Sequence, residues 1–422
     1  MTRAIALIDG EHYAEVVRDA LTELPYDFVG AFFVGGTEKL RGGEEYGVPL
    51  VDDLEAAIGE LEPEAIVDLS DEPVLGPRER FRFASLALAH GVQYVGPDFR
   101  FEVPVFEPFE LPSIGIVGTG KRVGKTAVAS HAARLYARDR SVLVVAMGRG
   151  GPAEPVVAEA GTSLDRLLEL AGEGHHAASD YLEDAALAGV DTIGCRRAGG
   201  GLAGAVATSN VAAGARLAAE RGADVVIFEG SGAAMPPIAT GRRVLVADAS
   251  TDLELLTGYL NAYRILVSDL VVLTNAEDGS PTAVRDAITA VKDVPVVATM
   301  MRPRPATPVT GRSVALFTTA PLSAHSRLAD HLRREHDVDV VHISGNLAKR
   351  DALRDELKGI TADVYLIEIK AAAIDVVAAT AAERGVECVF VDNQVLPLAG
   401  EPDLDAELQV LAEAVAGQPV AG

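Results

Sequence analysis

Residues 114–126 read Ile114-Gly115-Ile116-Val117-Gly118-Thr119-Gly120-Lys121-Arg122-Val123-Gly124-Lys125-Thr126, an apolar run that gives way to glycines and closes on Gly-Lys-Thr. This order predicts a buried strand, a phosphate-binding loop and a helix whose positive end faces the bound phosphate. We expect Lys125 to contact the β- and γ-phosphates of a nucleotide and the Thr126 hydroxyl to hold Mg²⁺. The alternative is an ordinary glycine-rich turn between a strand and a helix.

The loop departs at one position from the usual P-loop pattern. That pattern places a glycine five residues before Gly124, where this chain has Thr119, and Gly118 comes one residue earlier. We expect the backbone of Gly118, Thr119, Gly120, Val123 and Gly124 to bind the phosphates. The resulting form of the loop resembles the dethiobiotin synthetase branch of the P-loop proteins.

Two later strands end in groups suited to a nucleotide site. An apolar strand at residues 224–228 is followed by Glu229, at the position where a carboxylate holds Mg²⁺ beside a P-loop. The strand at residues 270–273 precedes Asn275 and Asp278. These two side chains could read a nucleotide base, although an Asx turn after a strand is at least as common.

A third strand, at residues 141–146, leads into Met147-Gly148-Arg149-Gly150-Gly151-Pro152. An arginine between glycines can approach an anion closely, so Arg149 and Gly150 are predicted to contact the substrate; a tight turn with a solvent-facing arginine is the alternative. The helical region that follows supplies weaker candidates for substrate contacts: Asp180, Asp184, Arg196 and Arg197. Its adjacent pair His175-His176 lacks other metal ligands nearby and predicts a surface junction.

The first strand, at residues 4–8, ends on Asp9-Gly10-Glu11-His12, and Arg78 lies on the helix after the third strand of this segment. Polar groups at the carboxyl ends of strands lie where open α/β sheets bind ligands. The turn at residues 9–12 and Arg78 are therefore candidate substrate contacts. Capping of the next helix accounts for the turn equally well. No Gly-x-Gly-x-x-Gly follows the strand, which disfavours dinucleotide binding.

Strands alternate with helices along the whole chain, which predicts an α/β fold with mainly parallel sheets. We expect residues 1–110 to form a Rossmann-like domain, residues 111–310 a central P-loop domain with a parallel sheet, and residues 311–422 a smaller α/β unit. The proline-spaced stretch at residues 104–112 is the predicted linker. In the last unit Lys370, at the end of an apolar strand, is the charged residue expected to contact substrate.

The composition restricts the class of protein. The chain has 422 residues, of which 49% are hydrophobic and 23% charged, as in globular proteins of several domains. A formal net charge of −25 disfavours nucleic acid as a partner. No basic and apolar leader and no run of membrane-spanning length is seen, so we expect no membrane partner and a cytoplasmic location. Cys195 and Cys388 lack metal-ligand spacing and are interpreted as reduced thiols.

Four motifs together resemble those of the cyclic 2,3-diphosphoglycerate synthetase family. They are Ile-Asp-Gly-Glu-His at residues 8–12, the loop at residues 118–126, Met-Gly-Arg-Gly-Gly-Pro at residues 147–152 and Glu-Gly-Ser-Gly at residues 229–232. The resemblance spans nearly the whole chain, including Lys370-Ala371-Ala372. It implies an ATP- and Mg²⁺-dependent enzyme that closes 2,3-diphosphoglycerate into an intramolecular phosphoanhydride and releases ADP and phosphate. Some members are also credited with making the diphosphate from 2-phosphoglycerate.

The resemblance also implies roles for individual residues around the loop. Lys125 and the loop amides would bind the ATP phosphates. Thr126 and Glu229 would hold Mg²⁺. Lys121 or Arg122 would neutralise the group in transfer, because phosphoryl transfer depends mostly on positioning and on neutralising charge.

Arg149 and the turn at residues 9–12 would contact the phosphoglycerate, by motif match alone. This chain has Ala146 where archaeal-type relatives are expected to carry an acidic residue, which leaves Glu154 as the substitute for a second Mg²⁺ carboxylate. The expected partner is a small-molecule substrate, and the protein could form a homodimer.

Two other functions use the same loop. A dethiobiotin-synthetase-like ligase would activate a carboxylate with ATP, but that reading leaves residues 1–110 without a role. A nucleotide-gated switch or metallochaperone needs a metal site, which neither the two cysteines nor the paired histidines supply.

Overall fold

The computed structural model describes residues 1–163, 166, 180–369 and 374–417. Lys370 and the paired histidines at residues 175–176 lie outside these ranges. The strands are β1 (Thr2–Asp9), β2 (Tyr26–Gly35), β3 (Leu50–Val51), β4 (Ala65–Asp68), β5 (Gln93–Val95), β6 (Arg100–Phe101), β7 (Ser113–Gly118), β8 (Val142–Gly148), β9 (Val156–Ala158), β10 (Asp191–Ala198), β11 (Thr208–Ser209), β12 (Val225–Glu229), β13 (Arg242–Asp248), β14 (Leu270–Thr274), β15 (Val296–Pro305), β16 (Ser313–Phe317), β17 (Asp339–Ser344), β18 (Val364–Glu368) and β19 (Glu387–Pro397).

The helices of the described part connect these strands. They are α1 (Ala14–Glu23), α2 (Leu54–Leu61), α3 (Pro77–Ala89), α4 (Lys125–Tyr136), α5 (Asp180–Leu187), α6 (Val211–Arg221), α7 (Leu253–Thr257), α8 (Asn261–Leu266), α9 (Pro281–Thr289), α10 (His325–His336), α11 (Arg350–Leu357), α12 (Ile374–Arg384) and α13 (Leu404–Ala416), with one 3₁₀ turn at Leu322–Ala324.

The N-terminal sheet has six strands in the order β3-β2-β1-β4-β5-β6. Its strands pair in parallel except for β5 with β6. Strand β1 is central, and the side chains of Ile5 and Leu7 pack against α2 and α3 while those of Ala6 and Ile8 pack against α1. Burial on both faces explains why this strand is apolar without alternation. The expected α/β architecture is confirmed in this part of the chain.

The second sheet places the P-loop strand between two parallel neighbours. Its order begins β11-β10-β8-β12-β7-β13-β14-β15, and from β10 to β15 the strands run parallel. Because β12 pairs with β7, Glu229 and the loop after Gly118 emerge at the same edge. Ligands bind at this edge in open parallel sheets.

The C-terminal unit continues the P-loop sheet. The first part of β15 pairs in parallel with β14, and its second part, from Thr299 to Pro305, pairs antiparallel with β19. The sheet then continues in the order β19-β18-β16-β17. After β19 the chain returns to the P-loop domain, where α13 packs against α4 and the Tyr136 hydroxyl donates to the Leu408 carbonyl oxygen at 2.8 Å.

The N-terminal domain rests on the helices that follow β13. Helix α3 packs against α8, and the rings of Phe81 and Tyr259 lie 5.2 Å apart. Residues of the two domains share one apolar core, which includes Tyr94 from the first and Leu245 from the second. No helix of the described part has the length and the apolar sequence needed to cross a membrane.

Candidate active site at the P-loop edge

Close packing requires glycine at two positions of the P-loop, Gly118 and Gly124. A Cβ at Gly118 would lie 2.8 Å from Cδ of Lys125, and one at Gly124 would lie 3.0 Å from Cγ2 of Thr274. Gly124 also has a φ of 89°, a left-handed conformation that favours glycine, and it leads directly into α4. There is therefore no room for side chains at these two positions, and the loop ends at the start of the helix, where backbone N–H groups can bind a phosphate.

Hydrogen bonds fix the loop to its neighbours. The Thr119 amide donates to the Val246 carbonyl oxygen at 3.1 Å, and the Thr274 hydroxyl donates to the Val123 carbonyl oxygen at 2.8 Å. The Lys125 ammonium donates to the Gly120 carbonyl oxygen at 2.9 Å and is 8% exposed. This contact holds the Lys125 side chain across the loop. A bound phosphate could replace the Gly120 carbonyl oxygen as the acceptor of this hydrogen bond.

Lys121 and Arg122 lie on the exposed side of the loop. Arg122 adopts a positive φ of 64°. The two side chains add positive charge at the entrance to a chain whose net charge is −25.

A buried carboxylate lies next to the first turn of α4. The Thr126 hydroxyl donates to Oε1 of Glu229 at 2.7 Å, and Glu229 is 1% exposed. Its second oxygen, Oε2, has no hydrogen-bond partner among the described residues. Burial raises the pKa of Glu229 well above its ordinary value, and the charge of Asp184 raises it further. An unsatisfied carboxylate oxygen beside a threonine hydroxyl is a donor set that suits Mg²⁺.

Asp184 lies near enough to Glu229 for its charge to raise the pKa of that carboxylate, which the sequence did not indicate. It belongs to α5, is fully buried, and accepts a hydrogen bond from the Ser130 hydroxyl of α4 at 2.6 Å. The sequence marked Asp184 only as a weak candidate for substrate contact. The signal that could have placed it is an acidic residue between the apolar Leu182 and Ala185 on a buried helix face.

Glu154 is exposed in the turn after β8. No hydrogen bond or ion pair joins it to Thr126 or Glu229 in the part of the chain that the structure describes. The negative charges that act on Glu229 come from Asp184 and, to a smaller extent, from Asp180.

Two arginines reach the turn that follows Glu229. Arg197 donates from Nη2 to the Ser231 carbonyl oxygen at 2.7 Å and from Nη1 to the Gly199 carbonyl oxygen at 2.5 Å. A Cβ at Gly232 would overlap Nη2 of Arg149. Burial and the nearby charge of Arg149 lower the pKa of Arg197. The structure therefore places Arg149 beside Arg197, which the sequence indicated only as a weaker candidate for substrate contact.

The glycines around Arg149 serve different purposes. A Cβ at Gly151 would overlap the Cys195 carbonyl oxygen of β10, so this position must lack a side chain. Gly150 is exposed and stays a candidate for substrate contact. Burial raises the pKa of the Cys195 thiol to about 12.

The turn at residues 9–12 is organised by Asp9, which is fully buried. Its Oδ1 accepts hydrogen bonds from the Glu11 amide at 3.0 Å and from Nδ1 of His12 at 2.7 Å, and its Oδ2 accepts one from the Asp71 amide at 2.7 Å. A Cβ at Gly10 would overlap the carbonyl oxygen of Gly36. Asp9 thus holds two loops together.

Arg78 is exposed in the first turn of α3. Its neighbour Arg80 instead reaches the carboxyl end of β4, where Nε donates to Oδ2 of Asp68 at 2.9 Å. The Tyr94 hydroxyl donates to the same oxygen at 2.7 Å. The cation that binds at this edge is therefore the partly buried Arg80, which sequence spacing alone does not separate from Arg78.

The two residues predicted to read a base are joined by a hydrogen bond from the Asp278 amide to the Asn275 carbonyl oxygen at 3.2 Å, but their side chains have different partners. The Asn275 amide donates to Oδ2 of Asp248 at 2.6 Å, at the carboxyl ends of β13 and β14. Asp278 accepts from Nη2 of Arg327 at 2.6 Å, which ties it to the C-terminal unit. The Asn275 side chain therefore contacts the carboxyl end of β13, the strand next to the P-loop strand.

Family models and known proteins are similar to this chain over nearly its whole length. Residues 3–102 match "Cyclic 2,3-diphosphoglycerate synthetase, N-terminal domain", residues 113–310 match the P-loop domain of the same name and residues 305–394 its C-terminal domain. A cyclic 2,3-diphosphoglycerate synthetase of Rubrobacter xylanophilus is 49% identical over 98% of this chain and 97% of its own. Those of Methanothermus fervidus and Thermococcus gammatolerans are 39% and 41% identical, over 93% and 96% of this chain and 92% and 96% of theirs.

Proposed function

The chain belongs to the cyclic 2,3-diphosphoglycerate synthetase family, and we propose that it uses ATP to close 2,3-diphosphoglycerate into a cyclic phosphoanhydride, with release of ADP and phosphate. One observation of the structure supports this most directly. A phosphate-binding loop, a buried carboxylate with an unsatisfied oxygen and a pair of arginines meet at one edge of the P-loop sheet.

The proposed chemistry needs two displacements at phosphorus. An oxygen of one substrate phosphate attacks the γ-phosphorus of ATP, and ADP leaves. The second substrate phosphate then attacks the phosphorus of its activated neighbour, which expels inorganic phosphate and closes the ring. Both steps concentrate negative charge, so neutralisation and positioning are the main contributions of the protein. The attacking phosphate is ionised at neutral pH and needs no general base.

The loop and the arginines would supply this neutralisation from opposite sides. Lys125 would exchange its contact with the Gly120 carbonyl oxygen for the β- and γ-phosphates. Lys121 or Arg122, both exposed on the loop, would close over the group in transfer. Arg149, beside Arg197 at the end of β12, would bind a phosphate of the glycerate, since guanidinium groups bind phosphate with two parallel hydrogen bonds.

Thr126 and Glu229 are the side chains that would hold Mg²⁺. The threonine hydroxyl and the unpartnered Oε2 of Glu229 are the available oxygens. When bound, Mg²⁺ neutralises charge on the ATP phosphates. Two protein ligands suffice, because Mg²⁺ in nucleotide sites takes its other ligands from phosphates and water. The described residues contain no group of three or more His, Cys, Asp or Glu that could hold a metal by themselves.

The N-terminal turn would contribute to the substrate side of the site. Because Asp9 is committed to internal hydrogen bonds, the groups of this turn that remain for a ligand are the partly exposed Glu11 and His12. Arg78 and Lys370 stay candidates for phosphate contacts.

A phosphorus NMR assay tests the reaction directly. Purified protein is incubated with ATP, Mg²⁺ and 2,3-diphosphoglycerate, and the phosphorus resonances of ADP, phosphate and a cyclic anhydride are followed. We expect all three to rise together. A parallel sample with 2-phosphoglycerate tests whether the chain also makes the diphosphate. ADP release that ignores diphosphoglycerate, with no anhydride signal, would exclude the synthetase and favour a carboxylate-activating ligase or a nucleotide-gated switch.

Substitution of Arg149 separates substrate binding from ATP binding. We expect Arg149→Ala to raise the KM for diphosphoglycerate about 10- to 100-fold and to leave the KM for ATP nearly unchanged, since a charged hydrogen bond contributes about 1.5–3 kcal/mol. Arg216→Ala is the matched control, because that side chain is exposed on α6 and has no proposed role in the site. An unchanged KM for diphosphoglycerate would remove Arg149 from the site.

A further inference from the structure

Two adjoining cavities lie between α4, the β15–β19 pair and α10, and we call them together the arginine cavity. The first has a volume of about 250 Å³ and the second about 380 Å³, and Arg304 and Gln394 line both. Helix α4 contributes Arg134 and Arg138 to the first, and α10 contributes Arg334 to the second. Nothing in the proposed reaction uses this space.

The lining is positively charged in a protein that is strongly negative overall. Five arginines face the two cavities against one carboxylate, Glu335. Behind the wall, Asp392 is shared by two of them, with Oδ2 at 2.7 Å from Arg134 and 3.1 Å from Arg304. Glu277 pairs with Arg302, Asp405 with Arg138 and Glu335 with Arg334. Five guanidinium groups therefore face four carboxylates, which leaves one positive charge in excess at the cavity.

Buried polar atoms without partners line the same space. His331 is 5% exposed, and its Nε2 has no hydrogen-bond partner among the described residues; the same holds for Nε2 of His336 and Nε of Arg304. Each buried polar group left unpaired costs about 1–3 kcal/mol. Three such atoms around one cavity indicate that the cavity accommodates a polar ligand, to which Nε of Arg304 would donate.

The cavity is separate from the P-loop but shares two elements with it. Along β15, Met301 lies next to Gly124 of the loop, whereas Met300, Arg302 and Arg304 line the cavity. Successive side chains of a strand point to opposite faces, so the second of the two cavities and the loop lie on opposite faces of β15. Helix α4 begins at the loop and carries Arg134 about 14 Å further along its axis.

We infer that the arginine cavity is a second anion site, which binds a small phosphorylated compound carrying more than one negative charge. Guanidinium groups match phosphate geometry, and the size suits a diphosphate or a small phosphorylated acid. The lining residues include no phenylalanine or tyrosine on which a nucleobase could stack. The ligand class is therefore a phosphate compound without a base. The inference does not depend on the proposed reaction.

Inorganic pyrophosphate is the probe for this site, titrated calorimetrically into the full-length protein without Mg²⁺. The test variant is Arg138→Gln/Arg334→Gln, which removes two lining charges whose side chains are 70% and 71% exposed. Because these side chains are solvated, the fold should be retained, and the melting temperature checks this. The matched control is Arg82→Gln/Arg354→Gln, which removes two exposed helical arginines elsewhere.

We expect wild-type protein to bind pyrophosphate at more than one site. The cavity variant should weaken one of these binding events at least tenfold, and the control pair should not. Lys125→Ala, which weakens the P-loop, should leave the same event intact. An isotherm unchanged in the cavity variant, or loss of all pyrophosphate binding with Lys125→Ala, would overturn the inference.

Discussion

Asp9 and Glu229 end comparable strands, yet the structure uses them differently. Each follows a buried apolar strand at the carboxyl edge of a parallel sheet, and both are at most 1% exposed. Asp9 accepts three hydrogen bonds that occupy both oxygens. Glu229 accepts one from Thr126, and Oε2 has no partner among the described residues. A buried carboxylate whose two oxygens both accept hydrogen bonds stabilises the fold, whereas one with an unpartnered oxygen indicates a ligand site.

Neutralising Glu229 is the test of this difference with the largest expected effect. We expect Glu229→Gln to lower turnover by about 10²–10³-fold, as loss of a single electrostatic contact to a transition state does. Because burial raises the pKa of Glu229, its ionised form destabilises the folded state as pH rises above the unfolded pKa of about 4.3. The unliganded variant should therefore melt at or above the wild-type temperature, and it should lose the extra stabilisation that Mg²⁺ gives in the presence of ATP.

Glu154→Gln is the matched control for that experiment. It removes the same charge from the exposed turn after β8. If Glu154 were a metal ligand, its replacement would also lower turnover and Mg²⁺-dependent stabilisation. A loss confined to Glu154→Gln would reverse the assignment of the metal site.

Replacing Asp9 tests the other half of the comparison, with a smaller effect that falls on stability. In Asp9→Asn, one acceptor oxygen becomes an amide that faces the Asp71 N–H, so two donors meet. We expect a loss of about 1–3 kcal/mol, measured by urea unfolding. Asp71→Asn is the control, because it removes an exposed charge but keeps the backbone N–H that Asp9 binds. If Asp9→Asn kept wild-type stability but lost turnover, Asp9 would be a ligand group and not an anchor.

The sequence could not distinguish these two carboxylates, because their donors lie elsewhere in the chain. A carboxylate at the end of an apolar strand gives the same local pattern in both places. The difference depends on the Asp71 amide, 62 residues from Asp9, and on Thr126, 103 residues from Glu229. The P-loop and Glu229 were predictable because each motif is local and the β7–β12 pairing is a common consequence of the fold.

Other parts of the site depend on contacts that only the fold creates. Asp184 accepts a hydrogen bond from Ser130, which is 54 residues away in the sequence. Arg149 lies near Arg197 beside the turn that follows Glu229. The antiparallel pairing of β15 with β19 was not predictable from alternation of strands and helices, because alternation predicts parallel pairs. The arginine cavity exists only because this pairing brings Arg304 beside Arg134.

The prediction with the smallest effect concerns the imidazole of His331, which like Glu229 has an unpartnered atom. His331 is buried with an unpartnered Nε2. Burial, with smaller contributions from His336, Arg302 and Arg334, lowers its pKa to about 4, and Glu335 opposes this shift. A pKa that is lower in the folded than in the unfolded state, about 6.5, contributes stability that is present above that value and is lost as pH falls toward 4.

His331→Gln should therefore reduce the fall in melting temperature between pH 7 and pH 5 by a few degrees, because glutamine does not titrate. His90→Gln is the control, since that histidine is more exposed, at 36%, and lies beside Glu55. Pyrophosphate should also reduce the fall in the wild-type protein, because a bound anion stabilises the imidazolium ion. If the variant and wild-type curves ran parallel, the unpartnered imidazole would not be kept neutral by the fold, and an unsatisfied buried group would not suffice to identify a ligand site.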